Sequence, residues 1–171
     1  GDWGDNRIVP DCVRAWSKGE TVSVRNPQAT RPWQHVLEPL SGYLWLGVRL
    51  WQKSEELNGE AFNFGPEANV NQTVAELLGN MAARWQGVQW DVPKACEQDN
   101  REATLLKLSC DKTLFHLNWR PVLHFSETVT FTVDWYRTWH SKEHNLYNYT
   151  VDQIKHYCDL AQLRQLPWVQ S

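Results

Sequence analysis

The sequence lacks the features that announce a cofactor or a membrane. No glycine-rich G-x-x-G-x-x-G fingerprint follows a strand, so a dinucleotide's pyrophosphate finds no cradle. No apolar run approaches the roughly 20 residues of a membrane-spanning helix, and no secretory leader pattern is seen, so a cytoplasmic protein without membrane contact is expected. Like charges never run beyond a few residues. With 17 basic and 20 acidic side chains the net charge is −3 and the pI near 6.1, which gives no purchase for nucleic acid. Any cationic site must be local. Four cysteines, Cys12, Cys96, Cys110 and Cys158, lie far apart without a C-x-x-C pair, which argues against a metal site. Two disulfides are allowed by count, but 171 residues can build a core without staples, and free thiols are expected.

What the chain does have is tryptophan, eleven of them, each able to bury a large area. With 42% hydrophobic residues and a mean hydropathy of −0.59, they point to one globular unit over residues 1–171. Asn6 is placed to cap a helix with Ile8, Val9, Cys12, Val13 and Trp16 on one face and Gly19 at its end. Residues 21–24 alternate as a short strand, residues 60–65 read as another, and Val88, Trp90 and Val92 as a third. Val74, Leu77, Leu78, Met81, Ala82 and Trp85 mark a clean amphipathic helix. Residues 105–108 form a further strand candidate, and a brief helix over 111–117 stops at Asn118-Trp119-Arg120-Pro121, because the residue before a proline avoids helical geometry. Residues 128–133 are β-branched, yet Phe125, Val129, Val133, Tyr136 and Trp139 keep helical intervals over a length unusual for a strand. A helix is expected there, then a polar loop over 140–149 and a helix over 151–160.

Residues 25–51 organise the rest. Leu37, Leu40, Tyr43, Leu44, Leu46, Val48, Leu50 and Trp51 make a helix apolar almost all round, which predicts burial on both sides. Ahead of it Arg25 and Arg31, two prolines, Trp33 and His35 form a loop that delivers cations to the helix start, the chemistry of an anion site.

The string Arg31-Pro32-Trp33-Gln34-His35-Val36-Leu37-Glu38-Pro39-Leu40-Ser41-Gly42-Tyr43 resembles the extended short-chain dehydrogenase/reductase family, in the branch that dehydrates CDP-glucose. Residues 1–11, Phe62-Asn63-Phe64-Gly65-Pro66, Leu106-Lys107-Leu108 and Asn118-Trp119-Arg120-Pro121 extend the similarity over nearly the whole chain. The resemblance implies an α/β fold of which this is the mostly helical substrate-binding portion, with short strands, lacking the N-terminal Rossmann core. Residues 36–85 would pack on that absent sheet. The opening Gly-Asp-Trp-Gly falls inside a motif, so a piece of a longer protein is expected.

The resemblance also implies chemistry. The whole enzyme would use NAD to oxidise the sugar transiently at C4, acidify the C5 proton and expel the C6 hydroxyl, yielding CDP-4-keto-6-deoxyglucose for lipopolysaccharide (O-antigen) biosynthesis. The family's catalytic tyrosine, four positions before a lysine, is missing: Tyr43, Tyr136, Tyr147, Tyr149 and Tyr157 are followed at that spacing by Gly47, His140, Val151, Gln153 and Ala161. No NAD is expected to bind this chain, and no turnover is expected from it alone. The alternative is a stand-alone module that binds a nucleotide sugar or drives oligomerisation without catalysis.

Of the substrate contacts implied, Arg31 matches the arginine held against the diphosphate, its other reading being a surface arginine stacked on Trp33. Arg7 stands where the family brings a cation to the nucleotide sugar, or is an exposed ion-pair partner. A buried Asn63 would read a nucleobase edge, or satisfy backbone groups. His35 has no partner at close spacing and reads as a structural hydrogen-bonding group. Arg101 and Lys107 lie in a stretch of further contacts where the match weakens: Arg101-Glu102 replaces a His-Glu pair, and Ser109 stands in place of an aspartate. The partners implied are the nucleotide sugar, the missing Rossmann half, and a homodimer formed through the orphan strand at 60–65.

Overall fold

The computed structural model describes residues 2–52, 54–85, 87–93, 105–142 and 145–170. In chain order these form α1 (Ile8–Trp16), β1 (Val22–Ser23), α2 (Leu37–Gln52), α3 (Ser54–Leu57), α4 (Val74–Ala82), β2 (Trp90–Asp91), α5 (Asp111–Leu117), α6 (Phe125–Ser141), α7 (Leu146–Leu163) and a closing 3-10 turn, Pro167–Val169. The architecture is mostly helical with one two-stranded sheet, as the resemblance implies. β1 and β2 run parallel, Val22 opposite Trp90.

Helical spacing becomes burial in the largest apolar cluster. α1 contributes Cys12, Val13 and Trp16, α4 Leu77, Leu78 and Met81, and α6 Val129, Val133 and Tyr136, with Val22 and Val24 at the edge. A buried side chain of this size contributes about 1.5–3 kcal/mol of transfer free energy, and the helical stripe at 125–139 therefore overrides the β-branched propensity of its threonines and valines. α4 starts on a capping box, in which Thr73 and Glu76 each take the other's backbone N–H. α1 is preceded by Arg7 rather than by the expected Asn6 cap. Asn6 sits at φ 59, and no side chain caps the first turn.

Two further clusters hold the other half. Val122, Leu123 and Phe131 meet Tyr157, Ala161 and Leu166 between α6 and α7. Trp45 of α2 packs with Leu57, Phe64, Leu117 and Trp119, and its indole N–H donates to the Leu117 carbonyl at 2.7 Å. Gly42 is required at this seam, because a Cβ there would fall well inside the Phe64 ring.

Four expectations are corrected. α2 is not buried on both sides: only Glu38, Gly42 and Trp45 are enclosed, while Leu40, Tyr43, Leu44, Val48 and Trp51, the last 92% exposed, form an open stripe at i, i+3/i+4 spacing. Among the described residues the stripe stays largely open, with the Tyr43 ring meeting Phe64 edge-on at 5.4 Å. Residues 60–65 form no strand, because their polar groups are met by side chains instead of a ladder: Asn63 O accepts from the Thr113 hydroxyl at 2.6 Å, and Phe64 O from the Gln34 amide at 3.1 Å. A strand-mediated dimer through 60–65 thus loses its strand. Residues 105–108 likewise make no strand, only a bridge at Leu105, and the loop placed at 140–149 is cut short because Asn145 caps α7 by accepting from Tyr147 and Asn148 N–H.

Cys12, Cys110 and Cys158 are free, and Cys96 lies outside the described residues. Among the described residues no helix is long and apolar enough to cross a membrane.

Candidate functional site

The arginine loop ahead of α2 is bolted down along its length. Ala75 N–H donates to Pro27 O and Val74 N–H to Ala29 O, both at 2.9 Å, so the loop rests on the start of α4. Thr30 bridges Thr73 on one side, antiparallel, and Leu105 on the other, parallel. The Trp33 indole donates to Gln72 O at 2.9 Å. Arg31 leaves this junction half-buried, with Nη1 donating to the Thr30 carbonyl at 2.8 Å. Its backbone position is therefore fixed by bridges from the preceding threonine to segments far downstream in the chain.

The same junction brings up the segment of Lys107. Lys107 and Leu108 run past residues 65–68, Leu108 lying against Gly65, where a Cβ would come within 3.0 Å of its Cδ1. Between these segments and Trp119-Arg120-Pro121 opens a cleft of about 680 Å³. Its polar lining is Lys107, Arg120, Asn69, Ser109, Glu67 and Asp111. A separate small hollow of about 40 Å³ shares Lys107 and Glu67 with this cleft and reaches Pro32, the residue after Arg31. Asn63 is exposed, not buried as expected; its amide donates to the Ser109 carbonyl at 3.1 Å and so braces the cleft wall.

Of the expected contacts, Lys107 lines the cleft and Asn63 braces its wall through Ser109, while Arg31 stands beside Pro32 of the smaller hollow without lining either space. Arg7 is not part of the cleft: it lies at the start of α1, exposed, its Nη1 on the Asp2 carboxylate at 2.6 Å. The Gly4 amide bond and, less strongly, that ion pair hold the Asp2 carboxyl below the ordinary carboxylate range. Arg101 lies outside the described residues. Arg120, which the sequence marks only as part of a helix stop, lines the cleft.

His35 closes the other end of the loop. Burial pushes its pKa down to about 4, so the imidazole is neutral at physiological pH. Nδ1 accepts the Leu37 N–H at 3.3 Å and the ring meets Phe131 edge-on at 5.6 Å, the structural role expected of it. It borders a second cavity of about 450 Å³ between α1, α4, α6 and α7, whose lining is predominantly apolar. That cavity offers little to a diphosphate.

One buried carboxylate went unnoticed in the sequence. Glu38, 1% exposed, accepts the Val122 N–H on both oxygens at 3.1 and 3.0 Å, the Leu123 N–H at 2.7 Å and the Tyr157 hydroxyl at 2.8 Å. Burial nonetheless raises its pKa, outweighing those donors, and burial raises that of Tyr157 too. Arg164 completes the knot, with one nitrogen on Val122 O and the other on Glu127 at 2.6 Å. Glu38 therefore ties the loop and α2 to the chain just beyond Arg120. The only signal in the sequence was a charged residue on the apolar face of a helix.

The described residues contain no fit for NAD: the single parallel pair is two residues long in each strand, and no strand opens onto a glycine-rich turn. They also contain no group of three His, Cys, Asp or Glu side chains set to hold a metal.

Two solved epimerases share the fold. UDP-glucuronic acid 4-epimerase from Bacillus cereus, solved with UDP-glucuronic acid and NAD, superposes with a TM-score of 0.61 at 10% identity, over 78% of this chain and 40% of that one. UDP-glucose 4-epimerase from Thermotoga maritima, solved with UDP-glucose, gives a TM-score of 0.57 at 18% identity, over 80% and 41%. No family model matches the sequence. The fold is that of part of an extended short-chain dehydrogenase/reductase, about two-fifths of the length of these neighbours. In sequence the chain is similar to CDP-glucose 4,6-dehydratase of Salmonella typhimurium, with 37% identity over 140 residues, across 81% of this chain. It spans about two-fifths of that relative's length, 38%.

Proposed function

We propose that this chain is the nucleotide-sugar-binding part of an NAD-dependent CDP-glucose 4,6-dehydratase, supplying the grip on CDP-glucose and none of the redox chemistry. The observation that supports the reading is the junction at Thr30, whose bridges bring the segment leading to Lys107 beside the loop of Arg31. In this assignment Arg31 and Lys107 hold phosphate oxygens, the guanidinium through paired charge-assisted bonds and the ammonium as a point charge. Asn63 contacts the base edge, while Arg101 and Arg7 contribute further cations. The product of the whole enzyme would be CDP-4-keto-6-deoxyglucose, an O-antigen precursor. The part carrying the dinucleotide fold would cover the open stripe of α2, since the chain spans 38% of its relative and leaves Leu44 and Trp51 in water. We assign residues 36–85 to that contact.

Calorimetric titration with CDP-glucose tests the reading. Saturable binding that falls at least tenfold in Arg31→Ala is the expected result, with no 4-keto sugar formed when NAD is added. Undiminished binding in Arg31→Ala would remove the assignment, and turnover by the isolated chain would overturn its catalytic silence. A homodimer that buries the α2 stripe is the competing arrangement; sedimentation showing a concentration-dependent dimer abolished by Leu44→Lys would favour it.

A further inference from the structure

Arg120 combines a held backbone with an unused charge. The residue before it, Trp119, is 2% exposed and donates its indole N–H to Ser41 Oγ at 3.2 Å. Its own carbonyl accepts from the Trp168 indole at 3.2 Å. Two residues on, Val122 gives its N–H to Glu38, and its carbonyl accepts from Arg164. Asn118, just ahead, holds the left-handed turn at φ 50 that ends α5. Four side chains from distant parts of the sequence therefore fix residues 119–122, while the Arg120 side chain remains exposed on the cleft wall. Precise binding groups sit on rigid elements, and Arg120 stands on one.

The charges around it are arranged for a specific partner. Among the described residues neither Arg120 nor Lys107, which line the same cleft, is in an ion pair. Glu67 and Asp111 also line it, Asp111 accepting from Ser109 Oγ at 3.5 Å. Two cations in one cleft attract phosphate oxygens, and the two carboxylates beside them can accept from hydroxyls of a larger ligand. The volume, about 680 Å³, is in the range of sites that enclose ligands of that size.

We propose that Arg120 is a binding residue for phosphate, gripping the diphosphate of a nucleotide sugar together with Lys107 while Glu67 and Asp111 accept hydrogen bonds from its hydroxyls. This rests on the nucleotide-sugar reading for its ligand, but not for its anion. Arg120 presents a planar fork matched to two phosphate oxygens, and the braced backbone spares it part of the ordering cost of binding.

The test uses ¹⁵N-labelled chain titrated separately with inorganic pyrophosphate and with CDP-glucose. Pyrophosphate should shift the backbone amides of Ala68, Asn69, Ser109 and Cys110 and the Arg120 side-chain Nε–H saturably. Arg120→Gln should weaken its binding at least fivefold and reduce the salt dependence, while the remaining spectrum stays superimposable on that of the parent. Arg137→Gln, a cation paired with Asp134 away from the cleft, should change nothing. Pyrophosphate that leaves these resonances unmoved, or binds Arg120→Gln as tightly as the parent, overturns the proposal. The two readings separate cleanly: pyrophosphate binding lost in Arg120→Gln without any CDP-glucose binding upholds the anion site and removes the nucleotide sugar. CDP-glucose binding that is sensitive to Arg31→Ala but indifferent to Arg120→Gln does the reverse.

Discussion

Replacing His35 by asparagine should flatten the acid limb of the protein's stability. In the folded chain burial holds the His35 pKa at about 4, whereas an unfolded chain titrates near the ordinary 6.5. A base whose folded pKa is depressed contributes stability that is present above its unfolded pKa and is lost as the pH falls toward the folded value. Here the window is pH 6.5 to 4. A tenfold difference in proton affinity between the two states is worth about 1.4 kcal/mol, so wild type should lose about 2.5 kcal/mol between pH 7.5 and 4.5 through this imidazole alone. Asparagine retains an acceptor for the Leu37 N–H and does not titrate. Glu38 acts with opposite sign, its raised pKa giving stability that is lost as the pH rises from 4.5, but it is present in both proteins and cancels in their difference. Urea denaturation at half-unit steps between pH 7.5 and 4.5 reads that difference directly. His35→Asn should be the less stable protein at neutrality, by about 1–2 kcal/mol for the lost ring contacts, and should close the gap or overtake below pH 5.5. Parallel curves over the whole range would mean that His35 gains its proton in the folded state as readily as in the unfolded one, and burial could not then be what governs the imidazole.

Glu38→Gln removes one of the two carboxylate oxygens that take the Val122, Leu123 and Tyr157 protons; a loss of about 2 kcal/mol at pH 7 and a shallower fall of stability with rising pH are expected by urea denaturation. Gly42→Ala drives a methyl into the Phe64 ring and should cost roughly 1–3 kcal/mol in a thermal melt, most of it recovered in the double variant with Phe64→Leu, where the obstructing ring is gone. Leu44→Lys with Trp51→Lys alters only exposed positions, so thermal stability should move by less than about 0.5 kcal/mol while binding of the hydrophobic dye ANS drops.

The helices that bury a stripe were legible because burial follows a period of 3.6. Val74, Leu77, Leu78 and Met81 lie where their spacing puts them, and so do Val129, Val133 and Tyr136. α2 misled for the same reason: its apolar residues declare that they need cover, without saying whether this chain supplies it. The segment at 60–65 misled because alternation is a local property, while a strand needs a neighbour, and the neighbours here are the side chains of Gln34 and Thr113. Within the site the cationic loop was visible as composition. Its convergence with Lys107 was not, because that depends on bridges from Thr30 to residues far along the chain. The support under Arg120 was similarly hidden, since Glu38, Ser41, Arg164 and Trp168 come together only on folding.

The ties made by Glu38 set a timetable for synthesis. Its partners lie 84, 85 and 119 residues downstream. At a translation rate of about 5–20 residues per second, the glutamate waits roughly 6–24 s on the ribosome before Tyr157 is even made. Until residues 117–123 are made the Glu38 carboxylate lacks its backbone donors and the Trp45 indole lacks its acceptor, Leu117, 72 residues downstream, with Leu57 and Phe64 the first of its packing partners to appear. Slowing elongation between residues 52 and 117 lengthens that exposure and should raise aggregation rather than yield.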